Sequence, residues 1–453
     1  MRKAKWFVNS KNPAPISIFL FCAVLFVFVL FNLSLVVALL IGLLIFLIYG
    51  RTCAMSWKTL TGFCIKGVTS AWKILTTFVL IGMLTALWRA SGTLAEIIVL
   101  SSDVIRPSCM ILISFLLTCF VSFLTGTSFG TAATMGVICM SISNAMGFSP
   151  IWMGGAILAG SFFGDRCSPV STSALLVATL TNTDLYANLK KLFQTSFLPF
   201  VLTCLIYGVA GFLAAEGAEN LSAGDTVQVF RDCFELNLFC LLPAIVILIL
   251  PMFRIGVRTV MSISILLAIG VVLFVQKTEI TQILYFLIFG FQTENELLSE
   301  LLGGGGILSM ARAGAIVCIA SCYSGIFQGT GMLDFLKTWL YHMAERRSCF
   351  FVILLVSVLV SMVSCNQTLA IMLADQLCRD LNLSDEDLAV SLENTTVVIA
   401  PLIPWSIAST VPLSAVGAPH TSILFACYLY FLPLCSLLHS ITHRDVTSVS
   451  KGA

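Results

Sequence analysis

Apolar runs long enough to cross a lipid bilayer recur from Ile16 to Leu437, and they constrain the fold more than any other feature of the chain. A spanning helix needs about 20 mostly apolar residues, because its backbone amides must be satisfied within the segment. We expect about ten to thirteen membrane segments on this basis. Only 10% of the 453 residues are charged, against roughly 25% in ordinary soluble domains. The sequence therefore excludes a water-soluble globule.

The runs are rich in Leu and Phe and do not alternate between polar and apolar residues. Strands of a membrane barrel would alternate over about ten residues, so the predicted fold is an all-α polytopic membrane protein. The start, MRKAKWFVNSK, is similar to the basic region of a signal peptide. The apolar stretch after it is too long, however, and lacks an Ala-x-Ala-like cleavage site. We expect a retained first helix and a cytoplasmic N-terminus, the latter from Arg2, Lys3, Lys5 and Lys11.

Charge and glycine content divide the chain into five regions. Residues 1–73 should hold the N-terminal helices and an amphipathic cytoplasmic segment, which is basic from Arg51 to Lys73 and contains no acidic residue. Residues 216–312 should hold connecting helices and a solvent-facing linker at Gly303 to Gly306, because four glycines break any helix. We predict a first transport repeat at 74–215, a second at 313–440 and a polar tail at 441–453.

An internal repeat relates the two predicted transport segments. ALWRASGTLAEI, which begins at Ala86, aligns without gaps on GIFQGTGMLDFL, which begins at Gly325. The same offset along the chain places Thr127 in LTGTSFGT on Asn366 in VSCNQTLA, each after an apolar helix. Secondary transporters often consist of two such halves, whose broken helices meet at the membrane midplane around substrate and coupling ion. GTSFGTAATMG and SCNQT are the predicted breaks.

Asp165 is the residue around which we predict the transport site. It lies in FFGDRCSPVSTSALL behind an apolar run, and an ionisable residue at membrane depth is a functional candidate by default. Ser168 and Thr172 add hydroxyl oxygens, which hard cations prefer as ligands. The Asp165 carboxylate could hold either H+ or a cation, Na+ in our first hypothesis, and this competition is sufficient for exchange. The alternative is an interfacial loop end whose Ser/Thr cluster caps the next helix.

The remaining candidates lie beside the predicted breaks. For the amide side chains of the second break, hydrogen bonding between helices and direct ion coordination are both open. The acidic and amide pair in LENTTVVIAPLIPWS stands at a helix entry, shortly before two prolines that break the helix. The transport or cation-binding set is completed by Thr127, Ser128, Asn366, Gln367, Glu393 and Asn394.

At these residues the sequence resembles the NhaC-type sodium/proton antiporter family of the ion-transporter superfamily. The likeness covers nearly the whole chain after about residue 60. It rests on GTSFGTAATMG, on FFGDRCSPVSTS followed by TNTDLYANLKKLF, on GIFQGTGML and on LENTTVVIAPLIPWS. It implies electrochemically driven exchange of Na+ for H+, with relatives that move malate, lactate or amino acids against these ions. It also implies that Asp165, Ser168, Thr127 and Asn366 line the transport site.

The chain departs from that family's pattern at two positions. Ser171-Thr172-Ser173 stands where relatives usually read Ser-Asp-Thr, and Glu393-Asn394 stands where Glu-Asp is common. Each departure removes a carboxylate. Fewer fixed negative charges suit an organic anion or zwitterion better, because acidic residues near a cavity repel a substrate carboxylate.

Two functional hypotheses follow from these residues and this resemblance. The first is a Na+/H+ antiporter that works by alternating access at Asp165. The second is an ion-coupled transporter of amino acids or small carboxylates. An enzyme is disfavoured because the chain has no HExxH or CxxC motif. We expect no cofactor, with Na+ and H+ as transported ions. Expected partners are the lipid bilayer of the plasma (bacterial inner) membrane, a small ion or organic solute, and a second copy in a homodimer, but no nucleic acid.

Overall fold

The computed structural model describes residues 13–442 except 32, 103–106, 218–222, 254, 296–297, 300–301, 331, 333–347, 380 and 382. The basic residues of the N-terminus, the polar tail from 443 and most of the second half of GIFQGTGMLDFL lie outside the described residues. The described ranges are helical and contain no β-strand, and their one bridge joins Phe291 to Gly304.

Twelve helices of the described residues precede residue 240. They are α1 (Ala14–Leu30), α2 (Leu35–Thr52), α3 (Trp57–Ser70), α4 (Trp72–Ala90), α5 (Thr93–Ser102), α6 (Met110–Thr125), α7 (Ser128–Thr131), α8 (Val137–Ala145), α9 (Pro150–Cys167), α10 (Thr172–Thr181), α11 (Leu185–Gly217) and α12 (Ala223–Cys233). A π-helical turn, Ala132–Gly136, joins α7 to α8.

Ten further helices follow in the described part of the remaining chain. They are α13 (Leu242–Ile249), α14 (Val257–Phe274), α15 (Ile280–Phe289), α16 (Ala311–Thr330), α17 (Cys349–Ser364), α18 (Gln367–Cys378), α19 (Asp385–Asn394), α20 (Thr396–Ile399), α21 (Ile407–Val416) and α22 (Cys427–Thr442). A short 3-10 turn, Ala400–Leu402, extends α20.

Several described helices have the length and composition to cross a membrane. Three do so alone, at Pro107–Thr125, Leu185–Ala214 and Ile307–Phe327. Two bent pairs qualify together, namely Trp57–Thr69 with Ile74–Ala90, and Asp385–Leu402 with Ile407–Val416, and eight shorter apolar helices accompany them. The prediction of an all-α polytopic membrane protein with broken helices is confirmed.

The first broken hairpin is repeated at the offset that relates Thr127 to Asn366 in the sequence. Helix α6 spans Met110–Thr125 and α17 spans Cys349–Ser364, so the two helices begin and end at equivalent positions. The next residue is left-handed in both halves, with φ of 64° at Gly126 and 54° at Cys365. Thr127 and Asn366 then take the same extended conformation, with φ, ψ of −139°, 125° and −143°, 126°.

The second broken segment is also repeated, but at a slightly smaller offset. Helix α9 begins at Pro150 and its counterpart α19 at Asp385, while α10 and α21 restart the helix at Thr172 and Ile407. Both restarts are capped by a serine, Ser171 or Ser406, whose side chain accepts a hydrogen bond from the backbone of the new helix. The second half is therefore shorter than the first between its two breaks.

The two halves run in opposite directions. A Cβ atom placed on Gly67 of α3 would lie 1.9 Å from the Ser321 carbonyl oxygen, and one on Gly325 would lie 2.1 Å from the Phe63 carbonyl oxygen. These contacts make α3 and α16 antiparallel. Since α3 and α4 differ in direction by only 44°, α4 also opposes α16, its counterpart in the second half. The repeat is inverted, as in many secondary transporters.

The helix after each first break turns back instead of crossing. A Cβ atom on Gly160 would lie 2.1 Å from Thr118 Oγ1, and one on Gly164 would lie 2.2 Å from the Phe123 amide nitrogen. Helices α6 and α9 are thus parallel and begin at the same end. The chain must return to that end between them, so α7 and α8 close a re-entrant hairpin. Ser357 donates to Thr395 at 2.9 Å at the equivalent crossing of the second half.

Two segments have more protein contacts than the sequence predicted. Helix α3 buries Gly67 against α16 and Leu60 against Gly50 of α2, and it leaves Lys58 and Lys66 exposed, so its apolar face contacts protein. The predicted glycine linker lies along α4, where Gly306 N donates to the Gly82 carbonyl oxygen at 2.8 Å. Glycines allow this approach because they have no Cβ atom to separate the two backbones.

Candidate transport site

A cavity of about 370 Å³ lies where the broken helices of both halves meet. Every one of the four breaks contributes to its lining, and so does Ile74 near the start of α4. The cavity brings together residues that are far apart in the sequence. Six of the nine predicted site residues line it, namely Thr127, Ser128, Asp165, Thr172, Asn366 and Gln367.

Asp165 lies in the last turn of α9 and is 4% exposed. Its Oδ2 atom accepts a hydrogen bond from Gln367 Nε2 at 3.1 Å, and its Oδ1 atom lies 3.4 Å from the Ser171 hydroxyl oxygen. Among the described residues that line the cavity, Asp165 is the only one with a carboxylate. A cation held here would therefore be coordinated by one charged group and several neutral oxygens.

Helix N-termini surround this carboxylate. Helices α7, α10, α18 and α21 all begin at the cavity, with the amide ends of their backbones toward it. The positive ends of helix dipoles favour negative charge, by about 0.3–1 kcal/mol each in exposed settings. They support the ionised form of Asp165, and they would equally support a carboxylate on a bound solute.

Thr127 and Asn366 line the cavity with different side-chain contacts. Asn366 Oδ1 caps α18, because it accepts hydrogen bonds from Thr368 N at 2.9 Å and Leu369 N at 3.4 Å. Thr127 makes no side-chain cap, and its buried Oγ1 atom has no hydrogen-bond partner among the described residues. Gln367 connects the halves, since its Nε2 atom also donates to the Val397 carbonyl oxygen at 3.3 Å.

Three predicted site residues do not line the cavity. Ser168 is buried in the turn between α9 and α10, where its hydroxyl accepts a hydrogen bond from Val170 N at 3.3 Å. Glu393 and Asn394 end α19 and are buried as well. Asn394 Oδ1 accepts a hydrogen bond from Arg166 Nη2, so this pair lies beside the residue that follows Asp165.

The sequence analysis missed the environment of Arg166. The side chain is fully buried and donates to Tyr428 Oη at 3.1 Å, Thr195 Oγ1 at 2.9 Å and Ser196 Oγ. These partners come from α11 and α22, and no motif connects them to α9. The available signal was the position of Arg166 directly after Asp165 at the end of an apolar run.

Ser171 and Ser173 also belong to this site. The Ser171 hydroxyl accepts from the backbone of Ser173 and Ala174, at 3.2 Å and 3.3 Å, and donates to the Asp165 carbonyl oxygen. Ser173 donates to the same carbonyl oxygen at 3.3 Å. The serine cluster thus caps α10 and at the same time holds the end of α9 that carries Asp165.

Two inverted halves with broken helices, meeting at a buried carboxylate beside a cavity, define the class of ion-coupled secondary transporters. Comparison with known proteins gives the family. The chain belongs to the Na+/H+ antiporter family, whose model matches residues 10–212 and residues 163–442.

Proteins similar to this chain carry different transport names. The Na+/H+ antiporter NhaC of Alkalihalophilus pseudofirmus is 27% identical over 412 residues, which cover 89% of each chain. A malate-2H+/Na+-lactate antiporter of Bacillus subtilis is 26% identical, over 85% of this chain and 84% of its own length. The arginine/ornithine antiporter ArcD of Halobacterium salinarum is 26% identical, over 76% of this chain and 73% of its own.

Proposed function

We propose that this protein exchanges Na+ for H+ across the plasma membrane, the inner membrane of a bacterium, with its N-terminus in the cytoplasm. The observation that carries the proposal is the single cavity-lining carboxylate of Asp165 in the described chain, which neutral oxygen and amide groups from both halves surround. Relatives named as Na+/H+ antiporters, similar over most of the chain, support it.

The proposed cycle rests on competition at one carboxylate. Na+ would bind Asp165 in its ionised form, with neutral oxygens such as Thr127 Oγ1, which has no partner among the described residues, as further ligands. A proton that binds the same carboxylate removes the charge and releases the ion. The hydrogen bond from Gln367 links Asp165 to the opposite half, so each change of occupancy acts on the contact between the halves. Alternating access needs such a link between binding and the relative position of the repeats.

Substitution of Asp165 tests this function. In proteoliposomes with an imposed pH gradient, the wild-type protein should transport Na+ or Li+. Asp165→Asn should lose this transport, because a neutral amide cannot take up a proton and lacks the charge that attracts the cation. Asp385→Asn is the matched control, since Asp385 is an exposed acid on α19, and it should retain transport. The proposal fails if a pH gradient drives no cation flux in the wild type, or if Asp165→Asn transports like the wild type.

A carrier of amino acids or small carboxylates is the second candidate. Four helix N-termini face a cavity of about 370 Å³, which is large enough for a small organic solute and is suited to its carboxylate. The relatives named for malate and lactate or for arginine and ornithine also favour it. Thermal unfolding with candidate solutes separates the two functions. At 100 times its Kd a true substrate stabilises the protein by about 2.7 kcal/mol, and only this second function predicts such stabilisation by an organic solute without a cation gradient.

A further inference from the structure

A second buried carboxylate lies behind the cavity. Glu393, in the last turn of α19, is 1% exposed, and its Oε2 atom has no hydrogen-bond partner among the described residues. The next residue, Asn394, accepts a hydrogen bond from Arg166, which itself follows Asp165, so Glu393 lies within electrostatic range of both charges. An unpartnered buried carboxylate is costly unless a nearby charge compensates it. The role of Glu393 must therefore be considered together with that of Arg166 and Asp165.

Arg166 supplies a permanent positive charge beside these two acids. A guanidinium is not deprotonated in proteins. Its hydrogen-bond partners among the described residues are neutral: the hydroxyls of Thr195, Ser196 and Tyr428, the Cys167 thiol, the Leu192 carbonyl oxygen and the Asn394 amide oxygen. The charge of Arg166 is thus compensated through space by Glu393, which in turn interacts with Asp165.

We call Asp165, Arg166 and Glu393 the charge triad. When both acids are ionised and no ion is bound, two negative charges and one positive charge leave the triad with a net charge of −1. Other buried acids of the described chain lie outside it. Asp375 forms an ion pair of 2.6 Å with Arg379, and Glu96 belongs to α5, which does not line the cavity. A single monovalent cation, either Na+ or H+, makes the charge triad neutral.

We propose that the charge triad makes the exchange electroneutral, with one Na+ moved for each H+. This inference rests on the proposed function and adds its stoichiometry. Moving a site with unbalanced charge through a region of low dielectric constant is expensive. The empty triad therefore does not change sides, whereas the triad with one Na+ or one H+ does. One Na+ crosses the membrane in one half-cycle, and one H+ crosses in the opposite direction in the other. No net charge therefore crosses the membrane in a full cycle.

Transport at an imposed membrane potential tests the stoichiometry. The full chain is reconstituted in liposomes, a K+ gradient with valinomycin sets the potential, and Na+ uptake is measured at equal pH on both sides. We expect the final Na+ distribution to be independent of the potential. One net charge moved per cycle would instead shift this distribution by about 50-fold per 100 mV, and that result overturns the inference. A wild-type protein without any Na+/H+ exchange contradicts the proposed function itself.

Substitution of Glu393 tests the role of the triad directly. Glu393→Gln brings the empty triad to a net charge of zero, so the empty site can change sides and the Na+-bound site carries +1. We expect the coupling of Na+ to H+ to be lost, apparent Na+ affinity to fall by about tenfold or more, and the remaining Na+ flux to follow the imposed potential. Glu393→Asp, which keeps the charge, should restore potential-independent exchange.

An exposed acid on the same helix provides the control for Glu393→Gln. Asp385→Asn removes an acid from the same helix at an exposed position, so it should exchange Na+ for H+ like the wild type, independently of potential. Coupled, potential-independent exchange in Glu393→Gln would overturn the inference, because a merely structural glutamate would change protein yield or thermal stability without changing the response to potential.

Discussion

Thr127 and Asn366 occupy the same backbone position in the two inverted halves but make different side-chain contacts. Asn366 accepts hydrogen bonds from two backbone amides of α18, whereas the buried hydroxyl of Thr127 has no partner among the described residues. One residue therefore stabilises its helix, and the other keeps an oxygen available for an ion.

Paired substitutions should separate these two roles. Asn366→Ala removes a helix cap and should lower the free energy of unfolding by about 1 kcal/mol. Thr127→Val removes only the available oxygen, so it should leave the melting temperature nearly unchanged and raise the Na+ concentration needed for half-maximal transport. Thermal unfolding in detergent and Na+ titration of transport check the two effects. A large loss of stability in Thr127→Val would contradict the proposal that the Thr127 hydroxyl is available to an ion and does not stabilise the fold.

The sequence predicted the residues that line the cavity better than it predicted the contacts of the residues behind it. Asp165 and its five cavity-lining companions were identifiable because each lies beside a helix break that small or polar residues mark in the sequence. Glu393 was among the predicted site residues, but the surroundings of Arg166 and Glu393 were not predictable in the same way. Their contacts join α9, α11, α19 and α22, and only the folded chain brings these helices together.

Glycine contacts hold the broken helices of the first half together. Helices α6 and α9 approach so closely that a Cβ atom on Gly164 would lie 2.2 Å from the backbone nitrogen of Phe123 and 2.2 Å from the Ser122 carbonyl carbon. Backbone atoms cannot move aside as the end of a flexible side chain can. Asp165 is the next residue, so a displacement of α9 would reach the carboxylate directly.

Gly164→Ala should consequently destabilise the protein and reduce transport. Forcing a Cβ atom into a packed interface typically costs about 1–3 kcal/mol or more, and we expect a clearly lower melting temperature together with a loss of Na+-dependent transport. Gly270→Ala in α14 is the matched control, because nothing lies within 4 Å of its added Cβ atom. Alanine favours the helix there, so stability should not fall. Equal melting temperatures of the two variants would contradict the close contact.

An alignment of the two halves at one constant offset predicts some equivalent helix positions and misses others. The ungapped alignment correctly related Thr127 to Asn366, because the first hairpins have equal lengths in the two halves. It could not relate Ser171 to Ser406, which lie closer together along the chain than Thr127 and Asn366 do. The second half is shorter between its breaks, and an alignment without gaps cannot pass over that difference. Ser171 and Ser406 can be recognised as equivalent caps only from the helix boundaries in the structure.

For the whole molecule, inversion determines which end of the cavity is open. Helix α10 continues α9 away from the end at which α6 and α9 begin. The hairpin of α17 and α18 enters from this second end, because the two halves are inverted. Arg379, directly after α18, donates to the Leu180 carbonyl oxygen of α10, which brings the far ends of these helices together. The cavity extends along α10 to Leu176 and along α18 to Ile371, so we infer that it opens toward the second end.

We predict from its basic residues that this second end is the cytoplasmic one. Lys190 and Lys191 follow α10, and Arg379 directly follows α18, whereas the described turn between α8 and α9, at the first end, has no basic residue. Lys and Arg are retained on the cytoplasmic side of membrane proteins. We therefore predict that the structure is an inward-facing state, with Asp165 accessible from the cytoplasm.

Accessibility of introduced cysteines should show this orientation. With the exposed native residues Cys53, Cys109 and Cys233 replaced by serine, Thr368→Cys at the cavity should react with a membrane-impermeant thiol reagent in inside-out vesicles and not in right-side-out vesicles. Asn144→Cys, exposed near the turn between α8 and α9, should show the opposite pattern. Na+ should protect Thr368→Cys if the ion binds in the cavity. Labelling of Thr368→Cys only from the outside would contradict the predicted orientation. The basic ends of α10 and α18 would then have to lie outside the cell.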